Sequence, residues 1–115
     1  MSTLARLRRF ISLVPPGKVT TYGKVAQWAG HPRSARLTVW ALQRAGPEVP
    51  WHRVVAAGGR IALAGVEGEE QRRRLRAEGV KFREGRVRMD LHEWDPRRRS
   101  ARSARSRSRA TSRAR

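Results

Sequence analysis

The sequence predicts one mostly α-helical domain with small β-hairpins, in which two of the helices form a helix-turn-helix. Three observations lead to this prediction. Apolar residues recur at intervals of three and four in the first 45 positions, glycine and proline separate these stretches, and two later segments alternate around glycine. A chain of 115 residues has room for one core of this kind.

The first helix is predicted from Leu4, Leu7, Ile11 and Val14, which fall on one face at helical spacing. The Pro-Pro-Gly sequence at residues 15–17 ends it, because proline and glycine both interrupt helices. We expect the apolar face to pack on the core and the arginines between these residues to face solvent.

A second helix is predicted after Thr20 or Thr21, either of which can serve as its N-cap. It is expected to end at Gly30, since helices commonly end at glycine, and His31-Pro32 then makes a tight connection. The apolar face of this helix comprises Tyr22, Val25, Ala26 and Ala29.

A third helix is predicted from Ser34, its N-cap, to about Ala45, ahead of Gly46-Pro47. Its spacing directs Arg36 and Gln43 away from the core. Its apolar stripe comprises Thr38, Ala41, Leu42 and Ala45. Two short helices joined by a few residues have the outline of a helix-turn-helix, although any small helical pair can produce that outline.

Two extended segments and a fourth helix are predicted next. Residues 54–56 and 61–63 are apolar and flank Gly58-Gly59, which favours a turn between two short extended pieces. Residues 68–78 have the composition of a helix that ends at Gly79.

A small hairpin is predicted towards the C-terminal end of the domain. Residues 81–83 and 87–89 alternate polar and apolar side chains on either side of residues 84–86. Trp94 is expected to close over the core.

The last segment differs sharply in composition. After Pro96 the chain contains only Arg, Ser, Ala and one Thr. It lacks the apolar area that offsets ordering entropy, so it is predicted to be a disordered tail that attracts DNA, or alternatively a solubility or cloning remnant. The predicted domain therefore covers residues 1–95, and the basic tail covers residues 96–115.

The charge of the chain points to a polyanionic partner. There are 27 lysines and arginines against 9 acidic residues, a formal charge of +18. Residues 97–115 hold 9 of the arginines and no acid, so residues 1–96 keep 18 basic and 9 acidic residues, or +9. Nucleic acid is the expected partner, because phosphate contacts release counterions.

The sequence contains no cysteine, which excludes disulfides, thiolate catalysis and thiolate metal sites. Arginines interrupt the apolar residues between Leu4 and Val14, which argues against a signal peptide, and no stretch approaches the roughly 20 apolar residues of a membrane span. We therefore expect a monomer in the cytoplasm, associated with the nucleoid, that needs no metal or cofactor and has no membrane partner.

Three motifs together resemble the DNA-binding domain of O6-alkylguanine-DNA alkyltransferases. They are the Pro-Gly-Lys-Val-Thr-Thr-Tyr-Gly-Lys-Val-Ala sequence at residues 16–26, Ala35-Arg36, and Pro-Trp-His-Arg-Val at residues 50–54. The resemblance covers residues 4 to about 90 and implies the winged-helix-like helix-turn-helix fold of that family's C-terminal domain. The family has Pro-Cys-His-Arg-Val at the third motif, so Trp51 replaces the alkyl-accepting cysteine. In this the chain is similar to the alkyltransferase-like proteins, which bind the lesion without repairing it.

The tryptophan has a direct chemical consequence. Alkyl transfer needs a polarisable thiolate, whereas an indole N–H is a hydrogen-bond donor and not a usable nucleophile at neutral pH. The resemblance implies that His52 and Glu78 correspond to the histidine and glutamate that activate the cysteine in active relatives. With no thiol to activate, both are expected to be structural or pocket residues.

The resemblance also implies a pocket for the lesion and a DNA-binding surface. Tyr22 would promote rotation of the target nucleotide, and Arg36 would enter the duplex through the minor groove and fill the space that the base leaves. The predicted pocket residues are Tyr22, Pro50, Trp51, His52 and Val54, and the predicted DNA-binding residues are Thr21, Ser34, Ala35 and Arg36. The simpler alternatives are a core tryptophan at 51, a buried histidine at 52, a packing tyrosine at 22 and a phosphate-binding arginine at 36.

Two departures from the relatives bear on this pocket. Some alkyltransferase-like proteins place an arginine over the guanine a dozen or so residues after the tryptophan, where this chain has Leu63-Ala64-Gly65. The active enzymes carry an asparagine shortly before the cysteine motif, and residues 45–49 contain none.

The sequence thus supports a non-enzymatic sensor of O6-alkylguanine in double-stranded DNA that flags damage for nucleotide excision repair. The alternative is a helix-turn-helix or architectural DNA-binding protein without lesion specificity. A third hypothesis is residual hydrolysis of the alkyl group by a water between His52 and Glu78.

Overall fold

The computed structural model describes residues 2–96, which form five α-helices and two sheets of two strands each. The helices are α1 (Thr3–Leu13), α2 (Tyr22–Trp28), α3 (Ala35–Gln43), α4 (Gly65–Ala77) and α5 (Met89–His92). The strands are β1 (Thr20–Thr21), β2 (Val54–Val55), β3 (Phe82–Arg83) and β4 (Arg86–Val87). The mostly helical fold with small strands confirms the predicted fold class. The predicted tail, except Pro96, lies outside the described residues.

The first helix forms as predicted. The Ser2 hydroxyl accepts a hydrogen bond from the Ala5 amide at 3.1 Å and caps α1, and Leu7 and Ile11 are fully buried. Val14, just beyond the last turn, is also buried. The apolar face of α1 therefore packs on the core.

The helices α2 and α3 are held together as a pair. The Thr21 hydroxyl accepts from the Lys24 amide at 3.2 Å, which confirms one of the two predicted caps. Gly30 adopts a positive φ of 95° and ends the first helix of the pair. Thr38 donates from its hydroxyl to the Tyr22 carbonyl at 2.8 Å and so links the start of α2 to the middle of α3.

The expectation for residues 61–63 was wrong, because they form no strand. The strand β2 instead pairs in parallel with the distant β1, with Thr20 opposite Val54. The Gln71 side chain donates to the Val54 carbonyl at 2.9 Å. The strand β2 is thus held by β1 and by a side chain of α4.

Two further boundaries differ from the prediction. The helix α4 begins at Gly65, three residues before the predicted start, and no side chain caps it. The second arm of the C-terminal hairpin ends at Val87, because the next residues turn into α5 at Met89. The hairpin itself is present, with Phe82 opposite Val87.

Trp94 closes the core as predicted. It is 1% exposed, lies edge-on to Trp28 with ring centroids 5.4 Å apart, and donates its backbone N–H to the Val19 carbonyl. Within residues 2–96 no helix is both long enough and apolar enough to span a membrane.

Candidate lesion-binding site

A cavity of about 590 Å³ opens between α3 and α4. The pairing of β1 with β2 brings the first residue of α2 towards the segment that contains Trp51, and both residues line the cavity. The lining residues are Tyr22, Val39, Leu42, Gln43, Trp51, Val54, Leu63, Val66, Glu67, Glu70 and Gln71. Most of this wall is apolar or aromatic, as is typical of a site for a small organic group.

Trp51 is held in one orientation from several sides. It begins a 3-10 turn, Trp51–Arg53, and its amide donates to the Val49 carbonyl at 2.7 Å. The Arg74 guanidinium lies 5.3 Å from the centre of its indole ring, a cation-π contact. The half-buried indole therefore forms a fixed wall of the cavity.

Below this turn, Glu78 gathers three hydrogen-bond donors. His52 Nε2 donates to Oε2 at 2.8 Å, the Arg53 guanidinium donates to the same oxygen at 2.6 Å, and the Gly17 amide donates to Oε1 at 3.2 Å. Burial alone would raise the pKa of Glu78, but the bonds from Arg53, His52 and Gly17 lower it to about 2. The carboxylate is therefore ionised and ties the turn to the loop after α1.

The predicted pocket residues fall into two groups. Tyr22, Trp51 and Val54 line the cavity together. His52 is buried against Glu78, and Pro50 accepts the Arg53 amide at 3.1 Å; neither lines the cavity. The last two residues support the turn that presents Trp51.

The predicted DNA-binding residues cluster at the start of α3, except Thr21. Ala35 and Arg36 are exposed, and Ser34 is half-buried and makes no capping bond with its side chain. The hydroxyl of Thr21 is engaged as the cap of α2. Because Val39, Leu42 and Gln43 of α3 line the cavity, this one helix joins the exposed arginine to the cavity wall.

Sequence reasoning missed the contribution of α4. Glu67, Glu70, Gln71 and Arg74 are spaced by three and four residues, so they share one face of that helix. Three of them line the cavity, and the fourth lies over Trp51. This spacing was a signal in the sequence for a shared polar face of α4, but it did not show that the face lies against Trp51.

The cavity offers hydrogen bonding but no strong nucleophile among its lining residues. Burial raises the pKa of the Tyr22 phenol, and the nearby Arg60 lowers it only in part, so the phenol stays protonated at neutral pH. Among residues 2–96 no group of three His, Cys, Asp or Glu side chains is placed to hold a metal ion. The arrangement is suited to enclosing and hydrogen-bonding a planar group.

The chain is similar to proteins whose names or structures refer to DNA. Residues 4–80 match the family described as the DNA-binding domain of 6-O-methylguanine DNA methyltransferase. The DNA base-flipping protein of Escherichia coli K12 is 41% identical over 93 residues, which cover 78% of this chain and 72% of that protein. Alkyltransferase-like protein 1 of Schizosaccharomyces pombe is 39% identical over 92 residues, which cover 72% and 85% of the two chains.

Solved structures agree with these sequence matches. The crystal structure of S. pombe Atl1 in complex with damaged DNA containing O6-carboxymethylguanine has a TM-score of 0.73 at 30% identity, and covers 82% of this chain and 95% of that one. Mycobacterium tuberculosis OGT in complex with DNA has a TM-score of 0.59 at 28% identity, covering 68% and 50%. The chain therefore belongs to the family of the 6-O-methylguanine DNA methyltransferase DNA-binding domain and, with Trp51 in its Pro-Trp-His-Arg-Val motif, to the alkyltransferase-like proteins within it.

Proposed function

We propose that the protein binds O6-alkylguanine in double-stranded DNA by rotating the base into the cavity between α3 and α4. The observation that carries this proposal is that Tyr22, Trp51 and Val54 line one cavity whose wall continues into the helix that bears Arg36. The names of the E. coli and S. pombe relatives, and the DNA complex of the latter, support the same function.

In such a complex, the free energy gained from contacts with the base is similar in size to the cost of rotating it out of the duplex. Contacts between bases and aromatic side chains contribute about 1 to 3 kcal/mol, and unstacking a base costs a few kcal/mol. An O6-alkyl group disrupts Watson-Crick pairing, so the damaged base leaves the stack at lower cost than guanine does. The contact with Trp51 offsets the cost of rotating the base, and the weakened base pair favours the lesion over the undamaged base.

The binding test compares two duplexes that differ in one O6-methyl group. At fixed salt, we expect the damaged duplex to bind much more tightly, and Trp51→Ala to remove most of that preference while keeping the affinity for undamaged DNA. Equal binding of both duplexes by the unaltered protein would falsify the proposal. Indifference to Trp51→Ala would favour a DNA-binding module without a lesion pocket.

We further propose that binding leaves the alkyl group in place. The chain contains no cysteine, and His52 bonds to Glu78 instead of lining the cavity. Mass analysis of a lesion oligonucleotide after long incubation with the protein is expected to show the adduct unchanged and the protein unmodified. Loss of the alkyl mass from the DNA would instead indicate hydrolysis.

A lasting non-covalent complex suits a signal for nucleotide excision repair, and we propose that the protein acts in this way as a monomer on the nucleoid in the cytoplasm. The complex has no covalent end point, so the lesion persists until another system removes it. Deleting the protein should sensitise cells to an alkylating agent, and it should add no sensitivity where nucleotide excision repair is already disabled. Equal added sensitivity in both backgrounds would contradict this link.

A further inference from the structure

The helix α4 brings two carboxylates to the wall of the cavity, and their surroundings differ. Glu70 is neutralised by Arg73 at 2.6 Å and by Arg74 at 2.7 Å. Glu67 is exposed and forms no ion pair within residues 2–96. Glu67 is therefore the carboxylate of the cavity wall that has no ion-pair partner among residues 2–96.

Among the described residues, no arginine or lysine lines the cavity, and none forms an ion pair with Glu67. The other lining residues have neutral side chains apart from Glu70, and no arginine or lysine of residues 2–96 lines the wall. Arg74 lies over the Trp51 ring and is bonded to Glu70. A group that enters beside α4 meets apolar and neutral polar side chains, the paired carboxylate of Glu70 and the unpaired carboxylate of Glu67.

We infer that Glu67 makes the cavity selective for the charge of the adduct, so that it accepts neutral O6-alkyl groups and disfavours anionic ones. This inference rests on the proposed function. Like charges brought close together repel, and specificity often comes from such a repulsive element. Glu67 lies in the first turn of α4.

The test uses a pair of adducts with nearly the same shape, O6-carboxymethylguanine and its neutral amide, O6-carbamoylmethylguanine. Dissociation constants are measured at fixed salt for duplexes that carry either adduct or unmodified guanine. We expect the amide duplex to bind about tenfold more tightly than the carboxylate duplex, the scale of one close charge pair in a partly solvated site. The ratio between the adducts is unaffected by changes in general DNA affinity.

Three variants locate the effect. Glu67→Gln is expected to bring the ratio close to one, and Glu67→Asp, which keeps the charge, to retain most of it. Glu69→Gln is the matched control, because Glu69 lies on the same helix, carries the same charge and does not line the cavity. It should leave the ratio unchanged.

The outcomes separate the two proposals. If both adducts bind equally and both bind better than guanine, the charge selectivity is wrong and lesion binding stands. A ratio that survives Glu67→Gln, or that Glu69→Gln abolishes equally, also overturns the inference. If neither adduct binds better than guanine, lesion binding itself fails, and the inference fails with it.

Discussion

At the residue scale, Trp51 sets the chemistry of the site, and its neighbours hold the turn that carries it. The bonds from His52 and Arg53 to Glu78 fix the turn beneath the indole. Arg74 contacts the ring at 5.3 Å, so a cation reaches the tryptophan from α4 although residue 64 is alanine. The absence of an arginine at residue 64 therefore does not leave the aromatic wall without a cationic neighbour.

The Glu78 network predicts a specific dependence of stability on pH. The pKa of Glu78 is lowered from 4.5 to about 2, so the carboxylate stabilises the fold above about pH 4.5 and loses this effect as the pH falls towards 2. Glu78→Gln leaves Arg53 without its counter-ion and should lower the free energy of unfolding by about 2 kcal/mol at pH 7. Urea unfolding at pH 7 and at pH 2.5 measures both effects.

The effect of Glu78 is measured by the difference in unfolding free energy between the unaltered protein and Glu78→Gln. The difference is needed because Glu70 also has a pKa of about 2 and titrates in the same range in both proteins. The gap in unfolding free energy between the original protein and Glu78→Gln should shrink at low pH. A gap of constant size would show that the carboxylate's charge contributes nothing to stability.

At the scale of the elements, α3 carries both the exposed Arg36 and a side that lines the cavity. Arg36 in its first turn is exposed, and Arg44 caps its far end, bonded to the Trp40 carbonyl at 3.2 Å.

We expect Arg36→Ala to remove most of the preference for a lesion duplex, because this side chain is proposed to fill the space left by the base. Arg44→Ala removes the same charge and should weaken damaged and undamaged binding alike. Competition binding with both duplexes measures the two ratios, and equal effects of the two variants would reduce Arg36 to a phosphate contact.

Gly68 of α4 packs tightly against the backbone of the segment that precedes the helix. A Cβ atom on Gly68 would collide with the backbone carbonyl of Leu63, which also lines the cavity. Gly68→Ala should therefore destabilise the protein by about 1 to 3 kcal/mol, the usual cost of overpacking. Gly23→Ala in α2 is the control, since a Cβ atom there would meet no neighbouring side chain or segment within 4 Å, and it should be neutral or slightly stabilising. Thermal unfolding of both variants tests this, and equal midpoints would mean that the segment yields freely.

Signals within a few residues of each other in the sequence predicted most of the helices and strands, but they did not predict which distant segments pair. The cap at Thr21 and the stop at Gly30 are chemical signals within a few residues, and both are confirmed. The parallel pairing of Thr20 with Val54 joins segments more than thirty residues apart, and neither segment carries a mark of its partner. The start of α4 was placed too late, because Ala64 is not a capping residue. The motif located Trp51 in the sequence, whereas the position of α4 opposite it was seen only in the tertiary structure.

At the scale of the whole molecule, both the domain and the C-terminal segment are positively charged, but only the domain contains the cavity. Residues 1–96 combine a charge of +9 with the cavity, and residues 97–115 add nine arginines without any acidic residue. Arginines that contact phosphates carry no base information, whereas the cavity is proposed to distinguish the damaged base from guanine. Total affinity and lesion preference are therefore expected to depend on different parts of the chain.

Deleting residues 97–115 separates these two contributions. The deletion removes nine positive charges, so it should weaken binding to damaged and undamaged duplexes by the same factor and make affinity less steeply dependent on salt. The ratio of the two dissociation constants should stay unchanged, because the cavity and Arg36 are retained. Measuring both constants across a series of salt concentrations gives the slopes and the ratio together. A truncated protein that binds normally to plain duplex but loses its preference for the lesion would place part of the recognition in residues 97–115 and contradict this division.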